Sequence, residues 1–142
     1  MALELRATSD FASMRSLALA SGLEEGDYSG FIAAYGIFDG SRLVGCVGLK
    51  NLKGVYTVEC LAVAEGLRGK GLGRRLLEAV EAEARRRGAS EIWALARAPG
   101  FFERMGFVRA EPPGSGVPSM RGCLVCPQYL KNCRPAIFVK RL

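Results

Sequence analysis

Histidine is absent from this sequence, and glutamine occurs once, at Gln128. The absence of histidine removes the side chain that most often acts as a general base near neutral pH, and also the commonest metal ligand. Acid or base chemistry in this protein must therefore use carboxylates, tyrosine, cysteine or water.

Long apolar segments are also missing. No uninterrupted apolar run approaches the about 18 residues of a membrane-spanning helix. The N-terminal stretch MALELRATSDFASM has no basic region followed by an apolar block and a cleavage site. We therefore expect a cytoplasmic protein without a membrane partner.

A length of 142 residues with 49% hydrophobic content suits one domain with its own core, so a single domain over residues 1–142 is predicted.

Positive charge is in excess, with a formal net charge of +6 and an isoelectric point near 9.3. Such a surface attracts anions, which leaves nucleic acid and a phosphate-rich cofactor as candidates. Arg85, Arg86 and Arg87 end a predicted helix, where cations complement the negative end of the helix dipole. Aromatic residues are not interleaved with the basic ones as stacking platforms for bases, so nucleic acid is the less favoured partner.

The hydrophobic periodicity predicts an α+β fold. LELRAT predicts a first strand, and a helix capped by Ser9 or Asp10 runs to Gly22. Three antiparallel strands follow in FIAAYGIFDGSRLVGCVGLKNLKGVYTVECLAVAE, because DG and NLKG interrupt this stretch as turns. A glycine-rich turn, a long helix ending at Gly88, the strand EIWALA, the short helix PGFFERMG, the strand FVRAE, a loop and the strand PAIFVKRL complete the order.

The turn RGKGLG, Arg68 to Gly73, lies between an apolar strand and a charged helix. It is not a Walker loop, because Ala64 and Gly71 occupy positions that need glycine and Ser or Thr. It is not a dinucleotide fingerprint, because Arg74 or Leu76 occupies the position of the third glycine. Its glycines still allow backbone N–H groups to converge at a helix N-terminus, which suits a pyrophosphate. A basic turn without a ligand is the alternative.

Around this turn the sequence resembles the GCN5-related N-acetyltransferase (GNAT) family. The family's acetyl-CoA motif, Arg/Gln-x-x-Gly-x-Gly/Ala, matches Arg68, Gly71 and Gly73. The resemblance includes the strand CLAV and the segment FFERMGF, and it covers about Val58 to Val108 in the family's order. It implies the GNAT fold, a mixed central sheet of about six to seven strands with helices on both faces. It also implies transfer of an acetyl group from acetyl-CoA to a primary amine, by direct attack in a ternary complex.

The same resemblance implies that backbone groups of the strand and the turn hold acetyl-CoA. The turn would bind the pyrophosphate, and the strand would bind the pantetheine and the thioester carbonyl. Backbone N–H groups of Leu61 or Val63 would stabilise the oxyanion. The implied cofactor-binding residues are Leu61, Ala62, Val63, Arg68, Gly69, Lys70, Gly71, Leu72, Gly73, Arg74 and Phe102.

Glu59 is the candidate general base. Family members that use a glutamate generally carry it on this strand, and the commoner placement corresponds to position 57. Thr57 stands there and cannot take a proton at neutral pH, so Glu59 would act directly or through water. Thr57 and Glu59 are two residues apart on a strand and face the same way. The alternative is that Glu59 is a solvated strand residue.

Phe102 stands where many relatives have the tyrosine that protonates the leaving thiolate. Phenylalanine cannot donate a proton, so the thiolate would leave as an anion, take a proton from solvent, or receive one from another residue such as Tyr129. Thr57 and Phe102 together keep open a second function, an acyl-CoA-binding sensor without catalytic activity.

The combination of CLAV with FFERMGFV resembles the amino-acid acetyltransferase branch, including the catalytic domain of N-acetylglutamate synthases. The implied acceptor is a small-molecule amine such as an amino acid. A protein N-terminus or a lysine side chain is the alternative acceptor. Because the fold often pairs through its late strands, a homodimer also stays open.

Five cysteines are present: Cys46, Cys60, Cys123, Cys126 and Cys133. The last three follow the spacing Cys-x2-Cys-x6-Cys, which begins like a zinc or iron–sulfur site but lacks a second CxxC and any histidine. A disulfide is favoured over a metal if the source is a hyperthermophile, where cytosolic disulfides persist. A metal site is the alternative, and no metal ligand is assigned. Cys46 and Cys60 are expected to be ordinary buried strand residues.

Overall fold

The computed structural model describes residues 2–23, 28, 30–96, 99–110 and 136–142. Within them, the strands are β1 (Leu3–Ala7), β2 (Phe31–Asp39), β3 (Arg42–Leu52), β4 (Val55–Val63), β5 (Glu91–Ala96), β6 (Val108–Arg109) and β7 (Ala136–Arg141). The helices are α1 (Phe11–Ala20), α2 (Leu72–Arg86) and α3 (Pro99–Arg104), with a 3-10 turn at Glu65–Leu67. This is the predicted order of elements. None of these helices is long and apolar enough to span a membrane.

The strands form one seven-stranded sheet in the order β1-β2-β3-β4-β5-β7-β6. The pairing of β4 with β5 is parallel, and the other neighbours are antiparallel. β2 to β4 are therefore the predicted meander, and β1 lies antiparallel beside β2. Helix α2 crosses over from β4 to the parallel strand β5. The mixed α+β sheet of the GNAT prediction is confirmed.

Helix α1 begins and ends as its sequence predicts. The Asp10 carboxylate accepts hydrogen bonds from the Ser13 backbone N–H at 3.1 Å and from the Ser13 hydroxyl at 2.6 Å. These bonds hold the pKa of Asp10 below its usual value, as expected for a charged helix cap. After the last turn, Gly22 adopts a φ of +85°, a conformation that side chains disfavour, and the helix stops there.

Helix α2 has one apolar stripe at the predicted helical spacing. The stripe packs on β2, β3 and β4. Most charged residues take the other faces, but Glu81, which the periodicity also assigns to another face, is buried because it is paired with Lys140 of β7. Each large aliphatic side chain buried in this way contributes about 1.5–3 kcal/mol relative to an exposed one. The buried apolar residues of the stripe are Leu72, Leu76, Leu77, Val80 and Ala84.

Helices cover both faces of the sheet. On β3, Val47 packs in the core cluster that includes the α2 stripe, whereas its neighbour Cys46 packs in the cluster that includes Met14 of α1. Because successive strand residues point to opposite faces, α1 and α2 lie on opposite sides of the sheet. Only residues 64–71 separate the end of β4 from the start of α2, so these two ends lie close together.

The arginines at the end of α2 lie where the sequence places them. Glu83 accepts hydrogen bonds from Arg86 at 2.9 Å and from Arg87 at 2.7 Å, and these bonds lower the pKa of Glu83 to about 2. Arg87 also donates to the backbone oxygen of Ile32 at 3.1 Å. Contacts within the protein therefore explain the positions of Arg86 and Arg87, and no nucleic-acid partner is needed to explain them.

Candidate active site

The carboxyl-terminal half of β4 separates from β5. β4 pairs with β3 along its length, from Val55 to Val63, but it pairs with β5 only at Thr57 and Val58. β5 instead continues beside β7 as far as Ala96. In the described part of the chain, the backbone groups of β4 beyond Val58 therefore have no ladder partner on β5. Since backbone N–H and C=O groups need hydrogen bonds, this edge can offer them to a ligand.

A bulge at Cys60 marks the beginning of the separated half of β4. Gly48 pairs with Glu59 and Cys46 with Ala62, so two residues of β4 lie opposite one residue of β3. Cys60 has a φ of +58°, a conformation that is uncommon and strained for a residue with a side chain. Such bulges redirect side chains and often lie next to functional sites.

The glycine turn leads directly into α2. Gly69 and Gly71 have φ values of +79° and +80°, and a Cβ at either position would meet open space. Gly71 caps α2 without any side-chain hydrogen bond, and the first helical bond runs from the Arg75 N–H to the Gly71 oxygen at 3.2 Å. The N–H groups of residues 72–74 therefore point out of the helix without helical acceptors, together with the positive dipole end.

Gly73 has a different role from Gly69 and Gly71, the other two glycines of the turn. A Cβ at Gly73 would lie 3.1 Å from the Phe101 ring, so this glycine lets α3 pack closely against α2. Phe102 is only 7% exposed and packs against Phe107 and Phe138 with ring centroids 5.2 and 6.1 Å away. Phe102 thus belongs to the core beside this turn, and its contact with a cofactor stays a prediction.

Basic side chains surround the glycine turn. Arg68, Lys70, Arg74 and Arg75 are all exposed. Arg68 also donates from Nε to the backbone oxygen of Val63 at 3.1 Å, which joins the turn to the end of β4. A cluster of four cations around unpaired N–H groups creates a positive field that attracts a phosphorylated ligand.

Glu59 lies at the point where β4 leaves β5, and it is partly buried. Glu59 is paired with Gly48 on β3. A Cβ at Gly48 would lie 2.6 Å from the Phe31 ring, so this ring packs against the strand position next to Glu59. Burial raises the pKa of Glu59 above its usual value, and the charge of Lys50 partly offsets the rise. A carboxylate with a raised pKa is a better proton acceptor.

Comparison with known proteins agrees with this geometry. A model of the acetyltransferase (GNAT) family matches residues 4–107. The chain belongs to the GNAT family. An uncharacterized N-acetyltransferase of Chlorobaculum tepidum is 34% identical over 106 residues, which are 71% of this chain and 65% of that protein. The chain thus spans slightly less than two thirds of that relative.

Two solved structures have the same GNAT fold. N-acetylglutamate synthase of Neisseria gonorrhoeae, solved with coenzyme A and N-acetyl-glutamate, has a TM-score of 0.76 and 24% identity; the match covers all of this chain and 35% of that one. The PaiA N-acetyltransferase of Thermoplasma acidophilum, solved with coenzyme A, has a TM-score of 0.71 and 18% identity; the match covers 100% of both chains. At these identities the likeness establishes the fold.

Sequence reasoning missed a polar cluster on the α1 side of this GNAT sheet. The Tyr28 hydroxyl and the Cys60 Sγ are 2.9 Å apart, and Cys46 Sγ donates to the Cys60 backbone oxygen at 3.3 Å. Hydrogen bonding with Cys46 and Tyr28 lowers the pKa of Cys60 despite its burial, whereas burial raises the pKa of Tyr28. No motif in the sequence marks Tyr28, because only the fold brings it to β4.

The two strand cysteines differ from each other. Cys46 is fully buried, as predicted. The prediction that Cys60 is an ordinary buried residue was wrong, because the bulge leaves it partly exposed and bonded to Tyr28.

The cysteine-rich segment lies outside the described residues, and so does Tyr129, the alternative proton donor. Whether Cys123, Cys126 and Cys133 form a disulfide therefore stays a prediction. Across the ranges that the structure describes, no group of three or more metal-binding side chains is assembled.

Proposed function

We propose that this chain transfers an acetyl group from acetyl-CoA to a primary amine by direct attack in a ternary complex. The acceptor in this proposal is a small molecule such as an amino acid. The observation that carries the proposal is the separation of β4 from β5 beside the glycine turn. This arrangement offers two sets of backbone groups, one along a strand edge and one at a helix N-terminus, to a single extended ligand.

Recognition of acetyl-CoA is supported by the match between these backbone groups and the parts of the cofactor. The N-terminal amides of α2 and the basic side chains around the turn suit a pyrophosphate. The open edge of Leu61–Val63 suits the amides of the pantetheine arm. In this pose the thioester carbonyl lies beside the bulge, where a backbone N–H of Leu61 or Val63 stabilises the oxyanion.

Direct attack requires a neutral amine and a proton acceptor near the thioester. Glu59 is the proposed acceptor, because it lies where the strands separate and burial raises its pKa. The buried position of Phe102 supports departure of the thiolate without a proton from that side chain, since its ring carries no donor.

An acceptor that carries a carboxylate is supported by two cations on the α1 side of the sheet. Lys50 acts electrostatically on Glu59 and Cys60, and Arg15 acts on Tyr28. These positive charges would attract an amino acid's carboxylate while its amine faces Glu59. The N-acetyl-glutamate bound to the Neisseria enzyme is an acceptor product of this chemical class.

The decisive experiment is calorimetric titration with acetyl-CoA, followed by thiol release with amino acids, polyamines and N-terminal peptides. We expect binding, and thiol release with amino acids above the other amines. Binding without release from any amine would favour the acyl-CoA sensor. Thiol release with peptides alone would show that the acceptor is a protein N-terminus and not an amino acid. No binding of acetyl-CoA would overturn the proposal.

The glycine turn is tested by Gly71→Val, with Gly54→Val as its matched control. Both glycines have positive φ values, +80° and +89°, and at both a Cβ would have no protein atom within 4 Å. The backbone strain should therefore be similar, but only the Gly71 side chain would obstruct a pyrophosphate. We expect the affinity for acetyl-CoA to fall about tenfold or more in Gly71→Val alone, as for loss of charge-assisted hydrogen bonds. Equal affinities would reject the turn as the phosphate site.

A further inference from the structure

The Thr57 hydroxyl has no hydrogen-bond partner. Among the described residues it is the one buried side-chain N or O atom in this condition, and Thr57 is 1% exposed. A buried hydroxyl without a partner costs about 1–3 kcal/mol, whereas valine has nearly the same shape and no such cost. The presence of threonine at this position therefore needs an explanation beyond packing.

Thr57 lies next to the proposed base. It is paired with Lys50 on β3 and with Trp93 on β5, at one of the last positions where β4 and β5 are joined. Glu59 is two residues further along the same face, and the regular ladder between them is not interrupted until the bulge at Cys60. Two strand residues span about 6.6 Å, a distance that a glutamate side chain can close directly or with one water.

Ionisable groups act on Glu59 itself or on its neighbour Cys60. Lys50 approaches from β3, and Cys60 follows on β4 with the Tyr28 hydroxyl against it; Arg15 of α1 acts on Tyr28. Thr57 differs from all of these because it is not itself ionisable in this pH range. A hydroxyl donates one hydrogen bond and accepts two, so it can orient a carboxylate without changing the net charge.

We propose that Thr57 is a positioning residue for Glu59: its hydroxyl donates to the Glu59 carboxylate, through one water in the protein alone, and directly or through one water in the complexes with acetyl-CoA and with acetyl-CoA and amine. The other carboxylate oxygen then faces the amine and takes its proton as the N–C bond forms. The C–S bond breaks, the thiolate leaves with the electron pair, and Thr57 keeps its own proton. This inference rests on the proposed function.

The first test compares Thr57→Val with Thr57→Ser by steady-state kinetics. Thr57→Val should lower kcat about 10- to 100-fold, the equivalent of one hydrogen bond to a charged group, and leave the KM for acetyl-CoA unchanged. The acidic limb of the profile of kcat against pH should move to higher pH in Thr57→Val, because the Glu59 carboxylate loses a donor that stabilised its charged form. Thr57→Ser keeps the hydroxyl and should restore most of kcat.

A double-mutant cycle separates positioning from a structural role. In the Glu59→Gln background, Thr57→Val should cause no further loss of kcat, because its partner is already removed. If Thr57 is only a packing residue, Thr57→Val will raise the melting temperature and leave kcat and the pH profile of the wild type unchanged. That result, or additive losses in the cycle, would overturn the inference.

A titration that needs no turnover distinguishes failure of this inference from failure of the proposed function. The side-chain carboxyl of Glu59 can be followed by carbon NMR against pH in the acetyl-CoA complex, or in the protein alone if acetyl-CoA does not bind. Thr57→Val should raise its pKa and Thr57→Ser should not. Equal titrations in all three proteins would refute the Thr57–Glu59 bond, whatever the acetylation assay shows.

Discussion

Glu81 and Glu59 are two glutamates withdrawn from solvent to different degrees, and each has a lysine as an electrostatic partner. Glu81 of α2 is 4% exposed and both of its carboxylate oxygens accept hydrogen bonds from Lys140 of β7 at 3.1 Å. Glu59 of β4 is partly buried where the sheet opens, and Lys50 only moderates the rise in its pKa.

The difference shows how one residue type serves two purposes in one fold. The Glu81–Lys140 pair connects α2 to β7, and its geometry compensates the charges that burial takes out of water. Burial raises the pKa of Glu59 because its compensation is incomplete. An incompletely compensated carboxylate in an open part of a sheet is a candidate for proton transfer, whereas a fully bonded one supports the structure.

The largest expected effect separates the two glutamates by activity. Glu59→Gln should lower kcat for amine acetylation by about 10²–10⁴, because an amide cannot take the proton of the attacking amine. Glu81→Gln, the matched control, should leave kcat per folded molecule within about twofold, since Glu81 lies in the interface between α2 and β7. Steady-state thiol release at several pH values is the measurement. An unchanged rate in Glu59→Gln at every pH would remove it as the base.

The second expected effect concerns the contribution of the Glu81–Lys140 pair to the stability of the fold. Lys140→Met should lower the free energy of unfolding by about 2–4 kcal/mol, because it leaves the Glu81 charge buried without its partner. This loss in the free energy of unfolding should be smaller than for a fully buried pair, because the Lys140 side chain is 25% exposed and solvent screens its charge. Urea unfolding measures it. Adding Glu81→Gln should recover part of the loss.

The control for this substitution is Lys53→Met in the exposed turn between β3 and β4, where we expect a change within about 0.5 kcal/mol. Equal losses in Lys140→Met and Lys53→Met would show that the buried pair contributes nothing specific.

The smallest expected effect is a difference in the pH dependence of stability. The folded-state pKa of Glu59 is raised above the usual 4.5, so its contribution to stability is complete below pH 4.5 and is lost as the pH rises through the folded pKa. Compared with Glu59→Gln, the wild type should therefore lose up to about 1.4 kcal/mol for each unit by which the pKa is raised.

Glu83 should show the opposite sign. Its pKa is lowered to about 2, so the stability that it contributes is present above pH 4.5 and is lost as the pH falls towards 2. Unfolding curves of wild type, Glu59→Gln and Glu83→Gln across this range measure both dependences. The same sign for both glutamates would mean that burial does not control the titration of Glu59.

Much of this fold was predictable because its signals are local. The stripe of α2, the Asp10 cap and the glycine stops depend on residues within a few positions of each other, and each was predicted at its observed place. The glycine turn was predictable for the same reason, since its motif is contiguous. The surroundings of Glu59 were not, because Lys50 acts on it from the neighbouring strand and Tyr28 contacts the adjacent Cys60 from 32 residues away in the sequence.

The sequence by itself determined the order of strands and helices, the family and the position of the glycine turn before α2. Only the tertiary structure decided that the Glu81 carboxylate is bonded to a lysine whereas the charge of Glu59 is incompletely compensated. It also decided where β4 leaves β5, and that the Thr57 hydroxyl is buried without a partner. The physical reason is the range of the interactions. Helix periodicity, caps and turns act over a few residues, whereas burial and charge compensation depend on what the folded chain brings from far along the sequence.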